Sequence, residues 1–173
     1  MPKKFEKEFI SYCENQDLEV NSNQITVIKK LENYHHTNYK SFFSKLFSKQ
    51  QSKKGFYLYG GVGVGKTMIL NFFYDHLDGK KLKKHFNEFM LGFHDFVHEQ
   101  KEKKEENIIN QFVKNLKSKA SLIYFDEFQV TNIVDAMILG KLFEQIFKED
   151  IKIILTSNTK ISELYKEGLQ REQ

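Results

Sequence analysis

Arginine is almost missing from this sequence: of 27 lysine and arginine residues, Arg171 alone is arginine. Proline occurs once, at Pro2, so no proline-rich linker divides the chain. Cysteine also occurs once, at Cys13, which excludes an internal disulfide. The opening MPKKFEKEF lacks the apolar stretch that a secretory signal needs. No uncharged apolar run approaches the roughly twenty residues of a membrane-crossing helix, so no transmembrane segment is expected. These absences predict a soluble chain in a reducing, cytoplasmic compartment. Strong charge is missing too. The net charge of +4 is mild, and the lysines are interleaved with glutamates, as in KEKKEE at 101–106, which describes a solvated helix face better than a nucleic-acid groove.

What is present is apolar material for one ordinary core: 40% hydrophobic residues, with 17 Phe and 8 Tyr, in 173 residues. Residues 3–53 carry helical spacings, first at Ile25, Ile28 and Leu31, then at Phe42, Phe43, Leu46 and Phe47, and QQSKKG at 50–55 ends them. His35 and His36 read as part of a loop. After that the period changes. GFYLYG at 55–60 is a short apolar run for a buried strand, and KTMILNFFYDHL at 66–77 is an amphipathic helix. LKKHFNEFM at 82–90 reads as a second strand, followed by a long charged helical stretch to about 118. SLIYFDEF at 121–128 and IKIILTSN at 151–158 are further strands, with a helix over 133–149 between them and a short one over 161–167. Strands alternating with helices predict an α/β fold with a parallel sheet flanked by helices. The expected division is an N-terminal helical segment, 1–54, and a nucleotide-binding core, 55–173.

GGVGVGKT at 60–67 satisfies G-x-x-x-x-G-K-[ST] and lies between an expected strand and an expected helix. Gly60, Gly61, Val62, Gly63, Val64 and Gly65 would wrap backbone N–H groups around the phosphates of ATP. Lys66 would reach the β and γ phosphates, and the Thr67 hydroxyl would be a ligand of Mg²⁺. The alternative is a glycine-rich turn of no chemical meaning.

Asp126 and Glu127 end a buried apolar run, at the strand end where ligands of open α/β sheets collect. Asp126 can hold Mg²⁺ through water, and Glu127 can polarise a water for attack on the γ phosphate. A solvated acidic turn is the plain alternative. The stretch D-E-F-Q lacks a glycine three residues after the aspartate, and TKIS at 159–162 lacks the aspartate of a guanine-reading TKxD, so a GTPase is disfavoured. Thr156, Ser157 and Asn158 end another strand. If that strand lies between those of the phosphate loop and the acids, Asn158 is the best placed to bond the γ phosphate or the attacking water; an Asx turn or helix cap competes for it. Arg171 follows the short helix. In ring-forming ATPases an arginine there reaches the nucleotide of a neighbouring subunit, a task for a planar, always charged fork. Chance placement is the alternative. The clusters around Lys66, Asp126 and Asn158 are expected to meet at one edge of the sheet.

GGVGVGKT, HFNEFM, FDEFQVTNIVDAMILGKLF, ILTSN and LYKEGLQRE together resemble the ZapE-type cell-division ATPases of bacteria, relatives of a mitochondrial ATPase of the AAA+ class. The resemblance runs from about residue 55 to the end. It implies a P-loop NTPase of AAA+ type, with Gly60 to Thr67 binding nucleotide, Asp126 and Glu127 serving magnesium and water, Asn158 sensing the γ phosphate and Arg171 acting in trans within a homo-oligomer. It also implies a protein substrate, the tubulin-like division protein FtsZ, at the inner face of the bacterial membrane. Val64 and Asn132 depart from the family pattern, and members continue past GLQRE into a small helical lid, so the chain reads as truncated before it. Two other functions compete: a helicase-loader-like ATPase that grips single-stranded DNA, and a nucleotide-binding fragment without turnover. HDFVH at 94–98 has two histidines at i and i+4 but no glutamate after the first, which leaves zinc chemistry unsupported.

Overall fold

The computed structural model describes residues 4–38, 54–100, 105–130 and 133–164. Arg171, Asn132 and the helical spacing at Phe42, Phe43, Leu46 and Phe47 lie outside these residues. The chain forms two compact units. The first takes in Met1–Phe56 and Gly65–Leu77, and the second Tyr57–Val64 and Asp78–Gln173.

In the first unit, helix α1 (Lys4–Asn15) and helix α2 (Ser22–Asn38) pack with helix α3 (Lys66–Asp75). The reason is a spacing of apolar residues that turns one face of each helix inward. Phe5, Phe9 and Cys13 of α1 are buried, with Ile28 and Leu31 of α2 and Ile69, Leu70, Phe72 and Phe73 of α3. Phe9 meets Phe72 edge-on with ring centroids 5.1 Å apart, and Phe5 meets Phe73 at 5.4 Å. A reciprocal box opens α2: the Asn21 N–H donates to Gln24 Oε1, and the Gln24 N–H donates to Asn21 Oδ1. His35 and His36 belong to the last turn of α2, not to a loop. Their Tyr-Asn-Thr surroundings mislead because the helix is held by Ile28, Leu31 and the buried Tyr34, whose spacing continues past the point where composition turns polar.

A four-stranded parallel sheet has the order β1-β4-β3-β2, where β1 is Gly55–Tyr59, β2 Lys81–His85, β3 Leu122–Asp126 and β4 Lys152–Ser157, and from Tyr57 onward it belongs to the second unit. Pairing sets Leu122 against Lys152 and Phe125 against Leu155 on one side of β3, and Lys81 against Leu122 through His85 against Asp126 on the other. β3 and β4 are buried along their whole length, which is why they read as continuous apolar runs. Helices α4 (Phe86–Glu99), α5 (Glu105–Lys119) and α6 (Ile133–Lys148) complete the unit. Phe86, Phe89, Phe93, Val113, Phe125, Leu142 and Ile146 share its core.

The second strand is shorter than 82–90. It stops at His85, and Phe86–Met90 form the first turns of α4. Phe86, Phe89, Met90 and Phe93 are all buried at helical spacing, so burial of that stripe decides the conformation over the strand-like LKKH that precedes it. The acid-bearing strand also ends earlier than 128, at Asp126, where Glu127 leaves the extended region for a left-handed conformation, φ 55°.

Candidate functional site

The phosphate-loop sequence folds as a strand, a turn and a helix. Gly60 leaves β1, its N–H donating to the Ser157 carbonyl at 3.2 Å, and Gly61 to Val64 are exposed. Gly63 and Gly65 hold φ of 81° and 86°, a region L side chains rarely enter. Around Gly61 and Gly63 a Cβ would meet nothing within 4 Å. Within the first unit Gly65 caps α3, and its carbonyl accepts from the Ile69 N–H. As glycine it offers no side-chain cap to the first-turn N–H groups, and that turn carries no acid. Lys66 and Thr67 are its first two residues.

In the second unit the ends of β1, β4 and β3 are laced together in that order. The Ser157 carbonyl takes the Gly60 N–H, and the Ser157 hydroxyl donates to the Phe128 carbonyl at 2.7 Å. The Thr156 carbonyl accepts from the Phe128 N–H at 2.7 Å. The Thr156 hydroxyl donates to Asp126 Oδ1. The Glu127 N–H lies 3.1 Å from both Asp126 Oδ1 and Thr156 Oγ1. Asp126 is 5% exposed and Thr156 1%. Burial at this level demands that each polar group be partnered, and the strand ends partner one another.

Glu127 is the opposite case. Its left-handed backbone turns it off the strand, its side chain is exposed, and Oε2 stands 3.7 Å from His85 Nδ1 at the end of β2. Asn158 follows the buried Ser157 and is itself exposed. The condition on which its role depended is met: β4 lies between β1 and β3. Near the end of β4, Thr156 is in contact with Asp126 through its hydroxyl. Thr156 was not singled out in the sequence; the signal for its contact with Asp126 is its position one pair beyond the Phe125–Leu155 register, which the strand order reveals.

A carboxylate at a strand end and a threonine hydroxyl after the loop lysine are hard oxygen donors of the kind magnesium takes. A glycine loop with left-handed residues presents successive N–H groups to an anion. The residues therefore suit a magnesium nucleotide. His94 is paired instead with Asp135, Nε2 to Oδ1 at 2.6 Å, and among the described residues no cluster of His, Cys, Asp and Glu could hold a metal by itself.

The family model described as AFG1-like ATPase matches residues 9–173, so it takes in most of α1 and all of α2. Lactation elevated protein 1 homolog B of Danio rerio is 41% identical over 134 residues, covering 72% of this chain and 27% of that protein. Cell division protein ZapE of Escherichia coli K12 is 38% identical over 135 residues, covering 73% and 35%. The chain thus spans about a quarter to a third of the length of these curated relatives. Among solved structures, DnaI is similar with a TM-score of 0.53 and 21% identity, over 88% of this chain and 78% of that one. The replication initiator DnaA bound to AMPPCP and single-stranded DNA is similar with a TM-score of 0.60 and 15% identity, over 91% and 44%. At these identities the likeness is one of fold, that of AAA+ P-loop domains.

Proposed function

The chain belongs to the AFG1-like ATPase family, and from that premise we propose that it binds ATP with Mg²⁺ and hydrolyses it, coupling turnover to the remodelling of a protein partner. The observation that carries this reading is the succession of strand ends β1-β4-β3, where Gly60, Ser157, Thr156 and Asp126 are joined by hydrogen bonds. A sheet edge organised in this way is where open α/β proteins hold ligands, and it ends in the two acids that the chemistry requires.

The proposed roles are these. Backbone groups of Gly60 to Gly65 and the Lys66 ammonium hold the phosphates, Thr67 and Asp126 serve the magnesium, and Glu127 orients and deprotonates the attacking water. Magnesium, when bound, would neutralise charge on the phosphates. Glu127 is suited to its task by exposure and by a backbone that lifts it off the strand. Asn158 bonds the γ phosphate or the water, and Arg171 serves the nucleotide of an adjacent copy. Residues 55–173 form the nucleotide-binding core and 1–54 a helical segment before it. Likeness to ZapE, a cell division protein by name, favours a partner in bacterial division, with FtsZ the first to try. No described helix is long and apolar enough to cross a membrane.

Phosphate release at micromolar protein, compared between the native chain and Glu127→Gln, tests the proposal: the variant is expected to lose release while retaining ATP. Equal rates would mean that no turnover belongs to this site. Arg171→Lys is expected to keep ATP affinity and lose the rise of specific activity with protein concentration. Labelled single-stranded DNA titrated at two salt concentrations separates the loader-like alternative, which needs salt-dependent binding.

A further inference from the structure

We propose that Thr156 is the positioning residue for the magnesium-binding carboxylate, fixing through its hydroxyl the rotation of the Asp126 side chain. The inference rests on the reading of Asp126 as the residue that serves magnesium and adds to it the part that sets its aim.

Asp126 is the last residue of β3, where its backbone is held by the sheet but its carboxyl can turn about the Cβ–Cγ bond. In this structure two donors meet one oxygen. The Thr156 hydroxyl donates to Oδ1, and the Glu127 N–H approaches the same atom at 3.1 Å. With Oδ1 directed toward β4, covalent geometry directs Oδ2 to the other side. Thr156 cannot itself drift, because it lies inside a fully buried strand and its β-branched side chain has restricted χ1 freedom. Its hydroxyl oxygen also stands 3.1 Å from the Glu127 N–H, and its carbonyl holds the Phe128 N–H. One residue thus fixes the carboxylate of Asp126 and the backbone on both sides of Glu127. Groups that orient a metal-serving ligand in this manner typically change metal affinity or activity about 10- to 100-fold when removed.

The test uses Thr156→Val, which keeps the shape and removes the hydroxyl, beside Thr156→Ser, which keeps the hydroxyl, and Asp126→Asn. Two readouts are taken: the affinity for a fluorescent ATP analogue with magnesium and in EDTA, and the magnesium concentration giving half-maximal phosphate release. In Thr156→Val the magnesium-dependent gain in affinity is expected to fall about tenfold and the half-maximal magnesium concentration to rise about tenfold. Affinity in EDTA should stay within about twofold, a pattern that loss of folded protein would not produce. Thr156→Ser should stay within about twofold of the native chain in every readout. If Thr156→Val melts below the assay temperature, Thr156→Ala takes its place. A magnesium response lost in Asp126→Asn but native in Thr156→Val overturns this proposal alone, and a serine variant as defective as the valine one overturns it equally. A native response in Asp126→Asn removes the reading of Asp126 beneath it.

Discussion

Gly65→Ala should destabilise the chain by about 2–3 kcal/mol, and the structure says where each part comes from. Gly65 holds φ 86°, and a left-handed conformation costs an L residue about 1–2 kcal/mol. A Cβ there would also stand 2.9 Å from Gln24 Nε2, closer than such contacts occur. The Gln24 amide is the end of a flexible side chain and could swing away, but its Oε1 accepts the Asn21 N–H at 3.1 Å in the box that opens α2. Moving it sacrifices that bond, worth about 0.5–1.5 kcal/mol. Gly63→Ala is the internal control. With φ 81° and open space around it, Gly63 carries the backbone cost only. Urea denaturation followed by far-UV circular dichroism should therefore place Gly65→Ala about 1 kcal/mol below Gly63→Ala. Adding Gln24→Ala to each should remove that difference, since only one of the two glycines touches Gln24. Equal midpoints for the two single variants, or a difference that survives in the Gln24→Ala background, would refute the reasoning.

Cys13 is buried in the first unit and burial raises its thiol pKa, so a thiol reagent should modify it slowly in the native chain and fully in urea; rapid native labelling would contradict the packing of α1. Tyr57 donates its hydroxyl to the Thr159 carbonyl at 2.6 Å, and burial raises its pKa, an effect the Ser157 hydroxyl partly offsets. A folded pKa above the unfolded value means that the stabilisation is complete below pH about 10 and is lost as pH rises through the folded pKa. Urea midpoints measured between pH 9 and 11 should fall less steeply in Tyr57→Phe than in the native chain, and parallel slopes would refute the assignment.

How much of this was legible before the structure depended on whether the deciding contact was local. GGVGVGKT declares a strand, a turn and a helix within eight residues, and its glycines stand where left-handed backbone is needed. LIYF and IIL declare buried strands because a strand covered on both faces has no polar alternation to disguise it. The end of β2 was not legible: LKKH and FNEFM differ only in which residues find a core, and the Phe86-Phe89-Phe93 stripe found one against Phe125 and Phe112. The contact of Thr156 with Asp126 was not legible either: it depends on β4 lying beside β3 in parallel register, a pairing between residues about thirty apart that no local pattern encodes. The left-handed backbone at Glu127 belongs to the same class, since its N–H is held from across the sheet.

Everything proposed for this chain depends most on nucleotide being held by the glycine loop and by Lys66 and Thr67, which open α3. Titrating the native chain and Lys66→Ala with ATP by calorimetry addresses this directly. The account predicts one ATP bound per native chain, a preference for ATP over GTP, and loss of measurable binding in Lys66→Ala with the thermal melt unchanged; a folded Lys66→Ala that binds ATP as the native chain does would contradict it.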